Sequence, residues 1–283
     1  MKLTVKAPAK INLFLEIIGK RPDGYHNLET VMQTINLYDE LSFETAESGI
    51  SLECSDKALS AGGGNIVYKA AAALKERYGI RKGVRIYLKK EIPTGAGLGG
   101  GSSDAAATLK TLVQMWQINI KDKELNDIAS KLGADVPFFL TGGTALCEGI
   151  GDIVTPLAKI KNMRIILVNP GFGVSTSGVY KKIKFPLTNQ RKVDKIRTLI
   201  CDGSFNIKEA FENCFNRLEE FVFPDNPEIA EIKRVLTELG CASFMSGSGA
   251  TVYGILGSES QSETIKSKLH ERGWKTWLVH PAE

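Results

Sequence analysis

Residues 93–104 read Pro93-Thr94-Gly95-Ala96-Gly97-Leu98-Gly99-Gly100-Gly101-Ser102-Ser103-Asp104, with five glycines between positions 95 and 101. So many glycines cost conformational entropy on folding, and they are best explained where a backbone turns sharply or lies against a ligand. Ser102, Ser103 and Asp104 are each good N-caps, and the AAATLKTLVQMW that follows is a strong helix former. A glycine loop opening into a helix is an anion site, because unpaired amides and the positive end of the helix dipole converge there. The expected anion is a nucleotide phosphate.

Several families place glycines in this way, and the neighbouring residues separate them. A Walker A loop ends in Gly-Lys-Ser/Thr, whereas Gly101 is followed by Ser102 with no lysine. Gly95, Gly97 and Gly100 do satisfy the dinucleotide pattern G-x-G-x-x-G. That fold, however, wants the glycines directly after a strand and an acidic residue about 20 positions on. Here Glu91-Ile92-Pro93 separates the strand from the loop, and no clear strand-ending acid follows Trp116. The His-Arg-Asp and Asp-Phe-Gly segments of protein kinases are missing, as is the G-x-S-x-G elbow of many serine hydrolases. His26, His270 and His280 are far apart and have no ligand partner at useful spacing, so no metal site is indicated.

Other residues carry chemistry of their own. Lys10 and Asn12 point the same way from an expected strand over residues 3–16, interrupted at Pro8, whose other face holds Ile11, Leu13 and Leu15. Pro22-Asp23-Gly24 is turn chemistry that presents Tyr25 and His26, an aromatic platform beside a two-nitrogen hydrogen-bonding group, which suits a nucleobase. Asp135 precedes Val136-Pro137, and the proline is expected to push Val136 out of helical geometry, placing Asp135 between a helix end and an extended apolar segment. Taken alone, each has an ordinary reading: a solvated lysine, a packed tyrosine, an aspartate that ends a helix.

The elements that must position these residues are legible. Helices are expected over 65–78, capped by Asn65 and stopped by Gly79, and over 122–132, ended by Gly133. Further helices are expected over 208–221, from Asn226-Pro227 to 239, and over 260–272. Strands are expected over 31–43, 84–89, 163–168, 252–256 and 275–280, with a second glycine loop at 243–251. The proline- and lysine-bearing stretch 155–162 marks a boundary between residues 1–157 and 158–283, with the last strand a candidate to return to the first domain.

At 283 residues, 43% hydrophobic and 24% charged, the chain can bury two cores in an ordinary soluble composition. A net charge of +4 is too slight to argue for nucleic acid or a membrane surface. Five cysteines without a C-x-x-C pair indicate neither a disulfide framework nor a zinc cluster, and fit a cytoplasmic protein. No apolar run approaches the roughly 20 residues of a membrane span.

Taken together, the Pro-x-x-x-Gly-Leu-Gly run, then Ser-Ser and small residues, resembles the phosphate-binding signature of the GHMP kinases. The two extra glycines are similar to one branch of that family, the 4-diphosphocytidyl-2-C-methyl-D-erythritol kinases. Four other segments match: Ala7-Pro8-Ala9-Lys10-Ile11-Asn12-Leu13, Arg21-Pro22-Asp23-Gly24-Tyr25-His26, Gly133-Ala134-Asp135-Val136-Pro137-Phe138-Phe139, and the Pro170 to Thr176 loop. The 243–251 loop resembles the superfamily's third motif.

The resemblance implies an α+β chain of two domains, a ribosomal-S5-domain-2-like N-terminal domain that binds ATP and a ferredoxin-like C-terminal domain, with the site between them. It implies catalytic roles for Lys10 and Asp135. The loop from Pro93 to Ser103 would bind ATP with Mg²⁺, helped by Asn65 and Lys90, and the sequence indicates no protein ligand of the metal. Asn12, Tyr25, His26, Thr176 and Tyr180 would bind a cytidine diphosphate-linked methylerythritol. Two other classes stay open on the residues alone: a dinucleotide-binding oxidoreductase and a non-catalytic nucleotide binder.

Overall fold

The computed structural model describes residues 2–160, 163–188, 190–257 and 260–282. The first half of the chain folds as β1 (Lys2–Lys20), β2 (His26–Ala46), β3 (Ile50–Cys54), α1 (Ile66–Tyr78), β4 (Gly83–Lys89), α2 (Gly100–Met115), α3 (Asp122–Leu132), α4 (Val136–Thr141), β5 (Thr144–Gly149) and β6 (Ile153–Pro156). The second half gives β7 (Arg164–Asn169), α5 (Thr176–Lys181), α6 (Asp194–Cys201), α7 (Ile207–Asn213), β8 (Phe215–Asn216), α8 (Glu219–Val222), α9 (Pro227–Glu238), β9 (Ala242–Met245), β10 (Val252–Leu256), α10 (Ser260–His270) and β11 (Lys275–Val279).

Contacts divide the chain into two compact units. One comprises Met1–Ala9, Leu37–Pro93 and Gly99–Thr141, the other Lys10–Asn36, Thr94–Leu98 and Gly142–Glu283, so β1 and β2 run through both. This partition differs from a single cut at 157/158. Residues 144–156 group with the C-terminal half because β5 pairs antiparallel with the first part of β2, from Leu28 opposite Gly149 to Gln33 opposite Thr144, and β6 pairs with β5. Lys161 and Asn162 of the expected connector lie outside the described residues.

In the first unit β4 lies antiparallel to the last part of β2, and β3 parallel to β4. Alternation puts Leu41, Phe43, Val84, Ile86 and Leu88 in the core. Facing helices contribute Val67, Ala70, Ala71 and Leu74 from α1 and Ala105, Ala106, Leu109 and Leu112 from α2. The alanines let α1 and α2 pack closely. Asn65 caps α1 as expected, its Oδ1 accepting from Val67 N at 2.9 Å, and Gly79 ends the helix in the left-handed region.

The second unit holds a four-stranded antiparallel sheet in the order β11-β7-β10-β9. Counting β7 as first, with helices before β9 and after β10, this is a β-α-β-β-α-β unit with strand order 4-1-3-2, which is ferredoxin-like. Ile166, Val168, Val252, Ile229, Ile232, Leu236, Leu269 and Trp274 share its buried cluster. The last strand stays in this sheet on β7; it is the residues after it that turn to β2, with His280 O accepting from Asn36 N and Ala282 N donating to Thr34 O. Among the described residues no helix is long and apolar enough to cross a membrane, and none of the five cysteines is in a disulfide.

Four local expectations are corrected. β1 is continuous through Pro8. Lys10 N, two residues on, donates to Leu98 O at 2.9 Å, so the nitrogen of Pro8 faces the same side and removes no bond to β2. Residues 208–221 are not one helix. α7 stops at Asn213, and β8 interposes a parallel pairing of Phe215 with Phe14 and Asn216 with Leu15 before α8 begins. Ser102, Ser103 and Asp104 do not cap α2; Gly99 does, at φ +70°, and the three lie inside the helix. Pro137 does not extend its neighbour either, since Val136 and Pro137 open α4, where a proline has no intrahelical donor to lose.

Candidate active site

The glycine loop begins in the second unit. Val174 N donates to Gly95 O at 3.1 Å, Thr251 N to Ala96 O at 3.2 Å, and Ser246 Oγ to Gly97 O at 2.9 Å. A Cβ on Gly97 would stand 2.0 Å from Ser246 O. The second glycine loop is therefore pressed against the first, backbone to backbone. Asn216 holds its far side, donating from Nδ2 to Met245 O at 2.6 Å and Gly247 O at 2.8 Å, which accounts for the β8 interruption. The Lys10 ammonium lies at the near side, 3.3 Å from where a Cβ of Gly247 would be.

Lys10 is 3% exposed, so the solvated-lysine reading fails. Its Nζ donates to Asn12 Oδ1 at 2.6 Å, and Asn12 Nδ2 donates to Thr30 Oγ1 at 2.8 Å. Asn12, named from sequence as a substrate contact, is thus engaged by Lys10 and Thr30. Thr30 had no sequence signal at all.

His26 is buried, and its Nε2 has no partner among the described residues. Burial, with the nearby Lys20 charge adding, holds its pKa below the usual imidazole range, so the ring is neutral at pH 7. Tyr180 lies 5.4 Å from it, tilted, and Phe185 stacks on it at 5.8 Å and 18°. Tyr25 is 60% exposed at the tip of a turn closed by Arg21 N to Tyr25 O at 2.8 Å and by Asp23 Oδ1 accepting from Tyr25 N. Sequence reasoning named Tyr25, His26 and Tyr180 and missed Phe185, which lies in irregular chain after α5. Thr176 Oγ1 is 2.8 Å from Ser248 Oγ, linking the Pro170 to Thr176 loop to the second glycine loop.

The first unit carries the remaining residues named from sequence. Past Gly99 the first amides of α2 have no intrahelical acceptor, and Ser103 N is the one that reaches Gly99 O, at 2.9 Å. The buried Ser103 Oγ and Asp104 Oδ1 have no partner among the described residues. Asp135 is half-buried in the turn between α3 and α4, where Val136 N donates to Gly133 O. A Cβ on Gly133 would stand 3.7 Å from Ser102 Oγ, so the aspartate's turn lies beside the first turn of α2. Asp135 stands two residues after Gly133 in that turn.

Asn65 and Lys90, named from sequence as ATP contacts, are engaged within the first unit. The Asn65 amide caps α1 and donates to Ser60 O at 2.9 Å. Lys90 Nζ pairs with the buried Asp39 and, at 2.9 Å, with Asp104. Burial alone would lower its pKa, but the two carboxylates outweigh it and raise it. Burial lifts Asp104 to about 7 despite Lys90, because one ammonium cannot fully compensate two buried carboxylates. Asp39 also accepts from Ile92 N at 2.9 Å, fixing the chain just ahead of the glycine loop.

Residues 65–143 match the GHMP kinases N terminal domain and residues 206–275 the GHMP kinases C terminal domain. The chain is 41% identical over 278 residues to a 4-diphosphocytidyl-2-C-methyl-D-erythritol kinase of Acetivibrio thermocellus, covering 98% of each. It is 45% identical over 272 residues to one of Clostridium beijerinckii, covering 95% of this chain and 96% of that one. A crystal structure of a 4-(cytidine 5'-diphospho)-2C-methyl-D-erythritol kinase superposes with a TM-score of 0.81 at 33% identity, covering 99% of this chain and all of the other.

Proposed function

Because this chain belongs to the 4-diphosphocytidyl-2-C-methyl-D-erythritol kinases of the GHMP kinase family, we propose that it transfers the γ-phosphoryl of ATP to the 2-hydroxyl of 4-diphosphocytidyl-2-C-methyl-D-erythritol, in non-mevalonate isoprenoid precursor synthesis in the cytoplasm. The observation that carries the assignment within this chain is the placement of the Asp135 turn beside the first turn of α2. Phosphoryl transfer asks for positioning and charge stabilisation rather than covalent chemistry, and a base beside an anion-binding helix end supplies both.

In this reading the loop from Pro93 to Ser103 receives the ATP phosphates, with the early amides of α2 and its dipole facing their charge. Asp135 accepts the proton of the tertiary alcohol, and Lys10 offsets the charge that develops on the transferred group. Tyr25, Tyr180 and Phe185 offer stacking faces to the cytosine, and the unpartnered Nε2 of His26 is a hydrogen-bonding group for its edge. Thr176 belongs to the same substrate side. The buried Ser103 hydroxyl, an oxygen ligand in the first turn of α2, fits a hard cation and would help hold Mg²⁺, which would supply neutralisation of phosphate charge.

The reaction is tested by ADP release with the diphosphocytidyl substrate, mevalonate, homoserine and galactose offered in parallel. Release confined to the first supports the assignment; release driven by another of the four moves the chain to a different branch. NADH, and not ATP, shifting the melting temperature would instead favour a dinucleotide-binding oxidoreductase.

A further inference from the structure

A threonine on β2 accepts from one end of the Asn12 amide while Lys10 donates to the other. Thr30 is completely buried, and its hydroxyl donates its single proton to Phe14 O at 2.6 Å. Toward Asn12 that hydroxyl can therefore act only as an acceptor, and it takes the Nδ2 donor at 2.8 Å. The opposite end of the amide, Oδ1, is thereby left facing the Lys10 ammonium at 2.6 Å. The Asn12 backbone is fixed separately, since the fully buried Tyr253 donates from its hydroxyl to Asn12 O at 2.9 Å. Phe14 O, Thr30, Asn12 and Lys10 form a chain in which the polarity of each hydrogen bond dictates the next.

We propose that Thr30 is a positioning residue for phosphoryl transfer, acting on Lys10 through the orientation of the Asn12 carboxamide. Without the hydroxyl, Nδ2 loses its buried acceptor, and the Lys10 ammonium is the one group left in this hydrogen-bond chain that favours Oδ1. A flipped amide would turn Nδ2 toward the ammonium, two donors face to face in a buried place, and the ammonium would leave the position that Gly247 and Asn12 now define. The proposal rests on the catalytic role proposed for Lys10. It also says why a polar residue stands on β2 where the pattern asks only for core.

Thr30→Val keeps the shape and removes the hydroxyl, and Thr30→Ser keeps the hydroxyl. The valine enzyme is expected to lose kcat on the order of 10-fold, the size of one lost hydrogen bond to a charged system. Its KM values for ATP and the diphosphocytidyl substrate should stay within about twofold, and the serine enzyme should regain most of the loss. Adding Thr30→Val to Asn12→Ala should cost nothing more, because the threonine acts only through the amide. Undiminished kcat in Thr30→Val, equal losses in kcat, both KM values and Tm, or losses that multiply with Asn12→Ala would each overturn the proposal. Should the valine enzyme not fold, Thr30→Ala is judged by the same criteria. Lys10→Met run alongside separates the two ideas: undiminished kcat there removes the role of Lys10, whereas a large loss there with an unaffected Thr30→Val enzyme removes only the role of Thr30.

Discussion

Replacing Gly97 by alanine adds one methyl group where two glycine loops meet backbone to backbone. The new Cβ would sit 2.0 Å from Ser246 O and 3.0 Å from both Gly249 O and Ser246 C. Main-chain atoms cannot swing aside, so the two loops must part by about 1 Å. That movement breaks or stretches the bonds from Ser246 Oγ to Gly97 O and from Thr251 N to Ala96 O, worth about 1 kcal/mol each. Gly97 also has φ +75°, where an alanine costs about 1–2 kcal/mol. The sum is about 3–4 kcal/mol, which lowers Tm by roughly 10 °C. A 1 Å displacement of a positioning loop costs activity as well, on the order of 100-fold in kcat/KM. Gly63→Ala is the control, because a Cβ there meets nothing within 4 Å, and it should change stability by less than about 0.5 kcal/mol. Thermal unfolding and steady-state ADP release read both quantities. A Gly97→Ala enzyme with wild-type Tm and kcat/KM would refute the contact between the loops and the reasoning built on it.

Arg217→Met leaves Glu16, which is fully buried and held bidentately by the guanidinium at 2.8 Å on both sides, without its counter-charge; denaturant unfolding should register a loss of about 3–5 kcal/mol, partly recovered when Glu16→Gln is added. Asp104 predicts a pH slope. Its folded pKa of about 7 lies above the unfolded value, so below about pH 4 both states hold the proton. Between there and 7 the unfolded chain releases it first, and stability falls as pH rises. Asp104→Asn should flatten that decline in Tm measured against pH, and an unaltered slope would place the titration elsewhere.

How much of this was legible depends on how local each signal is. Asn65 and Gly79 mark α1 correctly, because a cap and a left-handed stop are decided by a few neighbouring residues. The single helix expected over 208–221 failed because Asn216 and Arg217 are used at long range, on Met245, Gly247 and Glu16, and the helical period carries no trace of that. Ser102 to Asp104 looked like caps, but Gly99 already turns the chain, which leaves Asp104 to pair with Lys90 inside the fold. Lys90, named from sequence as an ATP contact, has its ammonium paired with Asp39 and Asp104. The motif residues Lys10, Asn12, Tyr25, His26 and Asp135 could be named from sequence, because each stands in a short motif. Thr30 and Phe185 were not, since a threonine in a strand and a phenylalanine before a proline are chemically ordinary until their neighbours are known.

In the proposed reaction Asp135 takes the proton of an alcohol while ATP is held at the α2 end. Asp135→Asn keeps the shape and removes the base, so single-turnover phosphoryl transfer with ATP and the diphosphocytidyl substrate both saturating measures that step directly. The expected rate is lower by roughly 10²- to 10⁴-fold, with ATP affinity and Tm near wild type. An Asp135→Asn enzyme that transfers the phosphoryl group at close to the wild-type rate would contradict it, leaving Asp135 a residue of the turn between α3 and α4 and the base to be found elsewhere.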